Sequence, residues 1–181
     1  MTYVTDIKSL HHNAYRCRDS EETRQFYEDF LGLRLASSLH YKESKTGRTV
    51  EFLHTFYEMN DSSFLAFFEV PEGQEESFFK QRSDFDLHIA LEIESREQLE
   101  AFKKRGEEQS MKVRGISDNG FIHSIYFTDP NGYVVELTAK DQNYDAIMEA
   151  ELQQAHEVLE NWQRQKASIS RERSPESAAL A

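Results

Sequence analysis

The chain has 181 residues, of which 33 are acidic and 21 basic, so its formal net charge is −12 with histidine neutral. This length suffices for one ordinary domain and is short for two independent ones. The acidic excess argues against a nucleic-acid partner, because phosphate backbones are bound by clustered Lys and Arg. No apolar run approaches the roughly 18 residues of a membrane span, so we expect no membrane partner either.

The composition predicts a globular protein with a well-filled core. Thirteen Phe, eight Tyr and 38% apolar residues overall provide the necessary apolar surface. The first residues lack the charged and apolar regions of a signal peptide, and the single Cys17 excludes an intramolecular disulfide framework. We therefore expect a cytoplasmic protein whose partner is a small molecule.

The first half of the chain predicts five elements in the order β-α-β-β-β. A strand over 10–17 is followed by a helix that Asp19 caps, with Glu22 as its capping-box partner and Gly32 as its stop. The next strands are predicted at 39–41, 50–57 and 63–70, with turns at 45–47 and 60–62.

The pattern begins again after a polar, acidic connection over 71–84. A strand precedes a second helix, which Ser95 caps with Gln98 as its partner and which ends near Gly106. The turn Asp129-Pro130-Asn131-Gly132 joins the last two strands, because Pro fixes φ and Asn-Gly tolerates positive φ. The strands of this half are predicted at 87–93, 111–116, 122–128 and 133–139.

The two halves share a register. His12 and His88 each lie seven residues before the residue that caps the following helix. Phe26 and Phe102 each lie seven residues after that cap. Matches at the same offsets, in the same element order, predict a duplicated unit. The alternative is coincidence between two amphipathic helices.

We accordingly predict a single α+β domain over 8–140, made of two βαβββ modules at 8–71 and 84–140. A separate amphipathic helix is predicted over 142–165, packed on the sheet or on a second subunit. The Ser-, Ala- and charge-rich tail over 168–181 is expected to be flexible.

Four polar residues in strands are candidates for a metal site. His11 and His12 are adjacent, so a strand would turn them to opposite faces. His88 and Glu136 each lie within an apolar strand, where an unpaired carboxylate is costly to bury. Singly, they could be an ordinary sheet histidine and an edge carboxylate. Together, two imidazoles and one carboxylate match the facial triad that binds Fe(II) or another divalent metal.

Four segments carry a family resemblance, and they lie at 12–19, 23–33, 87–91 and 124–137. Their Phe-Tyr-x-Asp-x-Leu-Gly-Leu and Asp-Pro-x-Gly-x-x-x-Glu motifs resemble the vicinal oxygen chelate superfamily, which includes glyoxalase I, fosfomycin-resistance transferases and extradiol dioxygenases. The resemblance implies modules whose mixed sheets curl around a metal cavity. It also implies the ligands His12, His88 and Glu136, and a homodimer, since dimers are common in the superfamily.

The resemblance leaves a fourth ligand open. Glyoxalase I-like members carry an additional Glu in the last strand of the first module, and Glu69 could serve. An alternative alignment puts Ala66 at that position and leaves Glu69 at the strand end. The two positions differ by three residues and so point to opposite faces. We favour the three-ligand alternative.

A three-ligand site leaves room for a catecholate and dioxygen, as in extradiol dioxygenases. Those enzymes carry a Tyr ten residues before the ligand Glu, as Tyr126 stands before Glu136. His123 is the weaker candidate for proton transfer, equally well a surface or interface histidine. The resemblance thus favours an Fe(II) extradiol-type dioxygenase acting on a small catechol-like substrate. One alternative function is a glyoxalase-like lyase or isomerase with Ni or Zn, and another is a metal-free protein that sequesters a drug, as in bleomycin resistance. Mn is a further alternative for the identity of the metal.

Overall fold

The computed structural model describes residues 6–42, 49–72, 74–80, 83 and 85–172. The predicted turn at 45–47 and the last part of the tail lie outside these residues. The first half contains β1 (His12–Cys17), α1 (Ser20–Arg24) with a π-helical turn (Gln25–Phe30), β2 (Arg34–Tyr41), β3 (Phe52–Glu58) and β4 (Phe64–Glu69). The second half contains β5 (His88–Glu92), α2 (Arg96–Glu108), β6 (Arg114–Asp118), β7 (Ile122–Thr128), β8 (Val134–Lys140) and α3 (Tyr144–Glu172), and a 3-10 turn (Glu76–Phe79) lies between the halves.

Both halves form a four-stranded mixed sheet with the same topology. The strand order is β1-β4-β3-β2 in one and β5-β8-β7-β6 in the other. The first strand of each half pairs in parallel with the last, so that His12 stands opposite Phe64 and His88 opposite Val134. The remaining pairs are antiparallel. This repeated order confirms the predicted α+β architecture of two βαβββ modules.

Each sheet buries one face and leaves its other face for a site. Alternate residues of a strand point to opposite faces. Leu65 and Phe67 in the first sheet, and Ile125 and Leu137 in the second, are at most 2% exposed and belong to one continuous core. The residues that alternate with these along each strand therefore point away from that core.

The helices begin where the sequence predicts. The Asp19 side chain accepts hydrogen bonds from the backbone N–H groups of Glu21 and Glu22, at 2.8 and 2.9 Å. These bonds satisfy donors that the first helical turn leaves unpaired. Ser95 caps α2 more weakly, through a 3.4 Å bond from the Gln98 N–H.

The prediction that α2 ends near Gly106 is wrong. The helix continues to Glu108, and Gly106 lies inside it against Phe127. A Cβ at Gly106 would stand 2.6 Å from the Phe127 ring, so the residue is small to allow close packing. Ser110 takes the positive φ of 59° that ends the helix.

The predicted turn at 129–132 is buried and joins the two modules. The Tyr27 hydroxyl donates to Asp129 at 3.0 Å, and the Arg18 N–H donates to the Asn131 side chain at 2.8 Å. Gly132 adopts a φ of +83°, and a Cβ there would stand 2.6 Å from the Phe79 carbonyl oxygen. Loop residues of the second module therefore pack against the first helix of the other module.

The last helix is longer than predicted, and every residue from Glu149 to Lys166 is solvent-exposed. α3 reaches Glu172, because the segment after 165 contains no Gly or Pro before Pro175. The helix therefore extends into the tail predicted from 168, and the flexibility of that tail stays a prediction. In the part of the chain that the structure describes, no helix is apolar and long enough to cross a membrane.

Candidate metal centre

His88 and Glu136 form the centre of the candidate site. His88 Nε2 lies 3.4 Å from Glu136 Oε2. Two ligands of one divalent ion, each about 2.0–2.2 Å from it, stand roughly 3.0–3.4 Å apart. The pair thus has the spacing of two ligands of a common ion. The Glu136 side chain is 7% exposed and that of His88 is 43% exposed, so the pair opens to solvent on the histidine side.

Tyr126 lies beside this pair, as its spacing to Glu136 predicts. It stands directly opposite Glu136 in the β7–β8 ladder, and its hydroxyl donates to Glu136 Oε1 at 3.3 Å. The Arg114 guanidinium lies 4.7 Å from the centroid of the Tyr126 ring. A cation at that distance is attracted to the ring face, so Arg114 helps to orient the phenol. Arg114 is not among the site residues that the sequence predicts.

The two adjacent histidines are not on opposite faces, contrary to the prediction. His11 precedes the first residue of β1, so strand alternation does not fix its side chain. His11 Nδ1 lies 2.8 Å from His12 Nδ1, and one ring donates to the other. This contact leaves Nε2 as the nitrogen with which His12 would bind a metal.

The structure does not bring all three predicted ligands together. The described residues contain no group of three His, Cys, Asp or Glu side chains that could hold a metal ion. His12 lies on β1 and His88 on β5, which are the edge strands of different sheets. The expected convergence is therefore not met within one chain, and the role of His12 as a ligand stays a prediction.

Glu69 does not face the side of the sheet that carries His12. Its carboxylate accepts a hydrogen bond from the Ser20 N–H at 2.7 Å, at the start of α1. Ala66 pairs with Ala14, two residues along β1 from His12, and so shares its face. Glu69 is therefore directed toward α1, whereas Ala66 lies on the face of His12, and the three-ligand alternative stays a prediction.

His123 is also turned away from the site. β7 pairs with β8 without a bulge, so His123 and Tyr126 point to opposite faces. His123 Nε2 lies 3.4 Å from Asp141 Oδ2, just before α3. We therefore do not retain His123 as a candidate for proton transfer.

His54 is a second residue near the candidate site that the sequence does not predict. It lies in β3, is 8% exposed and stacks on the Phe68 ring at 3.6 Å and 7°. The ring of Phe56 contacts the rings of both His54 and His12. Its centroid lies 4.2 Å from that of His54 and 5.6 Å from that of His12. His54 and His12 are therefore linked through one aromatic residue on the same side of the first sheet.

The surroundings of His54 favour its neutral form. Burial lowers its pKa, the bond to the Phe67 carbonyl raises it, and the charge of His12 lowers it. Because a carbonyl can only accept, Nδ1 carries the proton in the 3.0 Å contact with Phe67. Nε2 of the neutral ring is then a hydrogen-bond acceptor. Its alternation with Phe52 and Phe56 along one strand was the signal that could have identified it.

Comparison with known proteins identifies relatives over the same part of the chain. Residues 9–137 match the family model described as the Glyoxalase/Bleomycin resistance protein/Dioxygenase superfamily. A protein of Bacillus subtilis (strain 168) named putative ring-cleaving dioxygenase MhqA is 27% identical over 139 residues. The matched region is 75% of this chain and 42% of that protein, so the chain spans less than half of this relative.

Solved structures share the fold at lower identity. A mutant of the fosfomycin resistance protein FosX from Listeria monocytogenes, complexed with Mn(II) and 1S,2S-dihydroxypropylphosphonic acid, has a TM-score of 0.57 at 20% identity, and the match covers 77% of this chain and 98% of that one. TnmS3, an antibiotic binding protein from Streptomyces sp. CB03234, has a TM-score of 0.54 at 18% identity, with 76% and 100% covered. These similarities concern the fold alone.

Proposed function

Because the chain belongs to the Glyoxalase/Bleomycin resistance protein/Dioxygenase superfamily, we propose that it is an Fe(II)-dependent extradiol-type dioxygenase acting on a small catechol-like substrate. The observation that supports this most is the cluster of His88, Glu136 and Tyr126, with contacts of 3.4 and 3.3 Å. The ring carbon–carbon bond beside the two substrate oxygens would break, and both atoms of O2 would enter the product, so no further reductant is consumed.

In this proposal the chain supplies three ligands. His88 and Glu136 would hold the ion from the second sheet, and His12 of the first sheet, which the structure does not bring to them within one chain, would complete the set. When bound, the ion would chelate the vicinal oxygens and stabilise their negative charge. With one carboxylate among the ligands, the metal keeps one positive charge, so a catecholate monoanion would neutralise the centre.

The other named residues would bind and orient the substrate. The Tyr126 hydroxyl would hydrogen-bond one substrate oxygen, while Arg114 holds the phenol ring. On the first sheet, His54 offers a neutral imidazole whose Nε2 can accept a proton or a hydrogen bond. Phe56 and Phe68, which contact His54, provide aromatic surface for a planar ring.

The relative named as a ring-cleaving dioxygenase supports this proposal over the alternatives. A glyoxalase-type centre with Ni or Zn would require a fourth ligand, a second carboxylate, whereas the Glu69 carboxylate accepts a hydrogen bond from the Ser20 N–H at the start of α1. A drug-sequestering protein would have no need of the buried Glu136 and its two neighbours. Mn remains an alternative metal.

The test combines metal content with oxygen uptake. The protein is purified anaerobically, loaded with Fe(II), and assayed with a panel of catechols in an oxygen electrode. We expect about one iron per chain and oxygen uptake that depends on the catechol. An iron-loaded protein that consumes no oxygen with any catechol, or a protein that retains no stoichiometric metal, would contradict the proposal.

Adjacent histidines provide a matched control for the ligands. We expect His12→Ala, like His88→Ala, to abolish stoichiometric iron, because each removes one coordinating nitrogen. His11→Ala should leave the stoichiometry unchanged, since His11 hydrogen-bonds His12 but is not a proposed ligand. Loss of iron in His11→Ala but not in His12→Ala would show that the strand register assigned to the ligand is wrong.

A further inference from the structure

α3 carries an apolar stripe that the described part of the chain leaves uncovered. From Glu149 to Lys166 every residue is solvent-exposed. Among the exposed side chains on it, Leu152 is 64% exposed, Leu159 54% and Trp162 51%. A long helix is usually stabilised by packing its apolar stripe against another surface, so this one lacks its partner.

The spacing of the stripe is that of a coiled coil. Its apolar positions Met148, Leu152, Ala155, Leu159 and Trp162 alternate by four and three residues, and Lys166 continues this repeat. Val158, which is 54% exposed, lies next to Leu159 at the edge of the stripe. This seven-residue repeat is typical of helices that pair with another helix, because it keeps one seam facing the partner. A helix that lies on a sheet needs only the 3.6-residue periodicity.

The seam complements itself when two copies run antiparallel. If the pair is centred on Glu157, residues at equal distances before and after it meet across the seam. Leu152 then packs beside Trp162 of the other copy, and the small Ala155 beside Leu159. When the seven positions of the repeat are lettered a to g, the apolar positions are a and d. Each a position of one copy then meets a d position of the other, as an antiparallel coiled coil requires.

The charges favour the same arrangement. Lys166, the charged member of the seam, would lie beside Met148 of the other copy, between Glu149 and Glu151. A parallel pair would instead place Lys166 of one chain against Lys166 of the other, so that two positive charges meet. More broadly, residues 145–160 of the helix carry five acidic side chains, and residues 161–166 carry two basic ones and no acidic one. Antiparallel pairing therefore brings opposite charges together at both ends.

We propose that α3 is a homodimerisation element, which binds α3 of a second copy in an antiparallel coiled coil centred on Glu157. The interface is isologous and closes with two-fold symmetry, since each copy offers the same seam. It does not depend on the dioxygenase proposal.

Sedimentation equilibrium of the full chain tests the pairing. We expect a dimer at concentrations of about 1–100 μM. Leu159→Lys, which puts a charge in the seam, should raise the dimer dissociation constant at least about tenfold. Gln154→Lys adds the same charge on the opposite side of the helix and should leave the constant unchanged. Circular dichroism of the variants verifies that the sheets remain folded.

Charge reversal tests the orientation. Lys166→Glu should weaken the dimer, because it places a third acidic side chain beside Glu149 and Glu151. Adding Glu149→Lys and Glu151→Lys should restore it, since these residues contact position 166 only in the antiparallel arrangement. A wild-type chain that is monomeric at 100 μM, a dimer insensitive to Leu159→Lys, or a failure of this restoration would overturn the proposal.

Discussion

Tyr126 places its hydroxyl 3.3 Å from a Glu136 oxygen, where it could also reach a bound substrate oxygen. We expect Tyr126→Phe to reduce kcat/KM for a catechol by about 10- to 100-fold, because a hydrogen bond to a charged oxygen is worth about 1.5–3 kcal/mol. Iron content should not change, since Tyr126 is not a ligand. Steady-state kinetics and metal analysis of the variant measure both quantities.

Tyr144→Phe is the matched control for Tyr126→Phe. Tyr144 begins α3 and contacts Phe121 and Lys140, away from the Glu136 carboxylate. Its loss of a hydroxyl should leave kcat/KM unchanged. Equal kinetics for Tyr126→Phe and the wild type would contradict a substrate contact at Tyr126.

Single residues were predictable where strand alternation decides their direction. The odd spacing of His123 from Tyr126 predicts opposite faces, and the unbroken β7–β8 ladder puts them there. Alternation does not apply to His11, because it precedes β1, and its ring turns toward His12 instead. The burial of His54 depends on Phe68 of the neighbouring strand, a pairing that no local pattern specifies.

Among the secondary-structure elements, the start of α1 depends on the carboxylate of Glu69. Glu69→Ala removes the acceptor of the Ser20 N–H at the start of α1. We expect unfolding to become easier by about 0.5–2 kcal/mol, the usual cost of losing a helix-capping acceptor. Metal content should not change. Urea unfolding and metal analysis of the variant measure the two effects.

Glu69→Gln separates the two functions that were considered for this residue. The amide oxygen can still accept the hydrogen bond from Ser20, so stability should fall less than in Glu69→Ala. Gln is a poor metal ligand compared with a carboxylate. A loss of metal in this variant would therefore support the four-ligand, glyoxalase-type centre.

Helix starts were predictable from the sequence, whereas helix ends were not. Asp19 and Ser95 act locally, through hydrogen bonds to residues within three positions. The end of α2 instead depends on tertiary packing. Gly106 does not end the helix; it has no side chain because Phe127 packs closely against it. The sequence pattern cannot distinguish these two uses of glycine.

At the scale of the whole molecule, Asp129 makes the stability of the joined modules depend on pH. Burial raises the pKa of its carboxyl from 3.8 to about 6, although hydrogen bonds from Tyr133 and Asn131 lower it. At a pH between these two pKa values, the Asp129 carboxyl keeps its proton in the folded chain but has lost it in the unfolded chain. The stability from this group is thus complete below about pH 4 and is lost as pH rises through 6, by up to about 3 kcal/mol.

Asp129→Asn isolates this contribution, because Asn does not titrate. We expect the free energy of unfolding of the wild type, minus that of the variant, to decrease as pH rises from 4 to 6. Urea unfolding at a series of pH values measures this difference. A difference that is constant or increases over this range would show that the Asp129 carboxyl is not destabilised by burial.

The order of the elements was predictable for the whole chain, but the relation between the modules was not. The repeated spacing of His12 and His88 to their helix caps predicts two equivalent units, which both sheets confirm. How the edge strands β1 and β5 stand to each other depends on contacts between distant segments. Whether His12 meets His88 and Glu136 therefore could not be derived from spacing, and among the described residues of one chain the three are not gathered.

Isotope-labelled oxygen tests the proposed reaction most directly. The iron-loaded protein is incubated with a catechol that supports oxygen uptake, under O2 labelled with oxygen-18, and the product is analysed by mass spectrometry. An extradiol cleavage predicts a ring-opened product that carries both labelled atoms. An unopened ring, or a product without label, would contradict the assignment of this chain as a ring-cleaving dioxygenase.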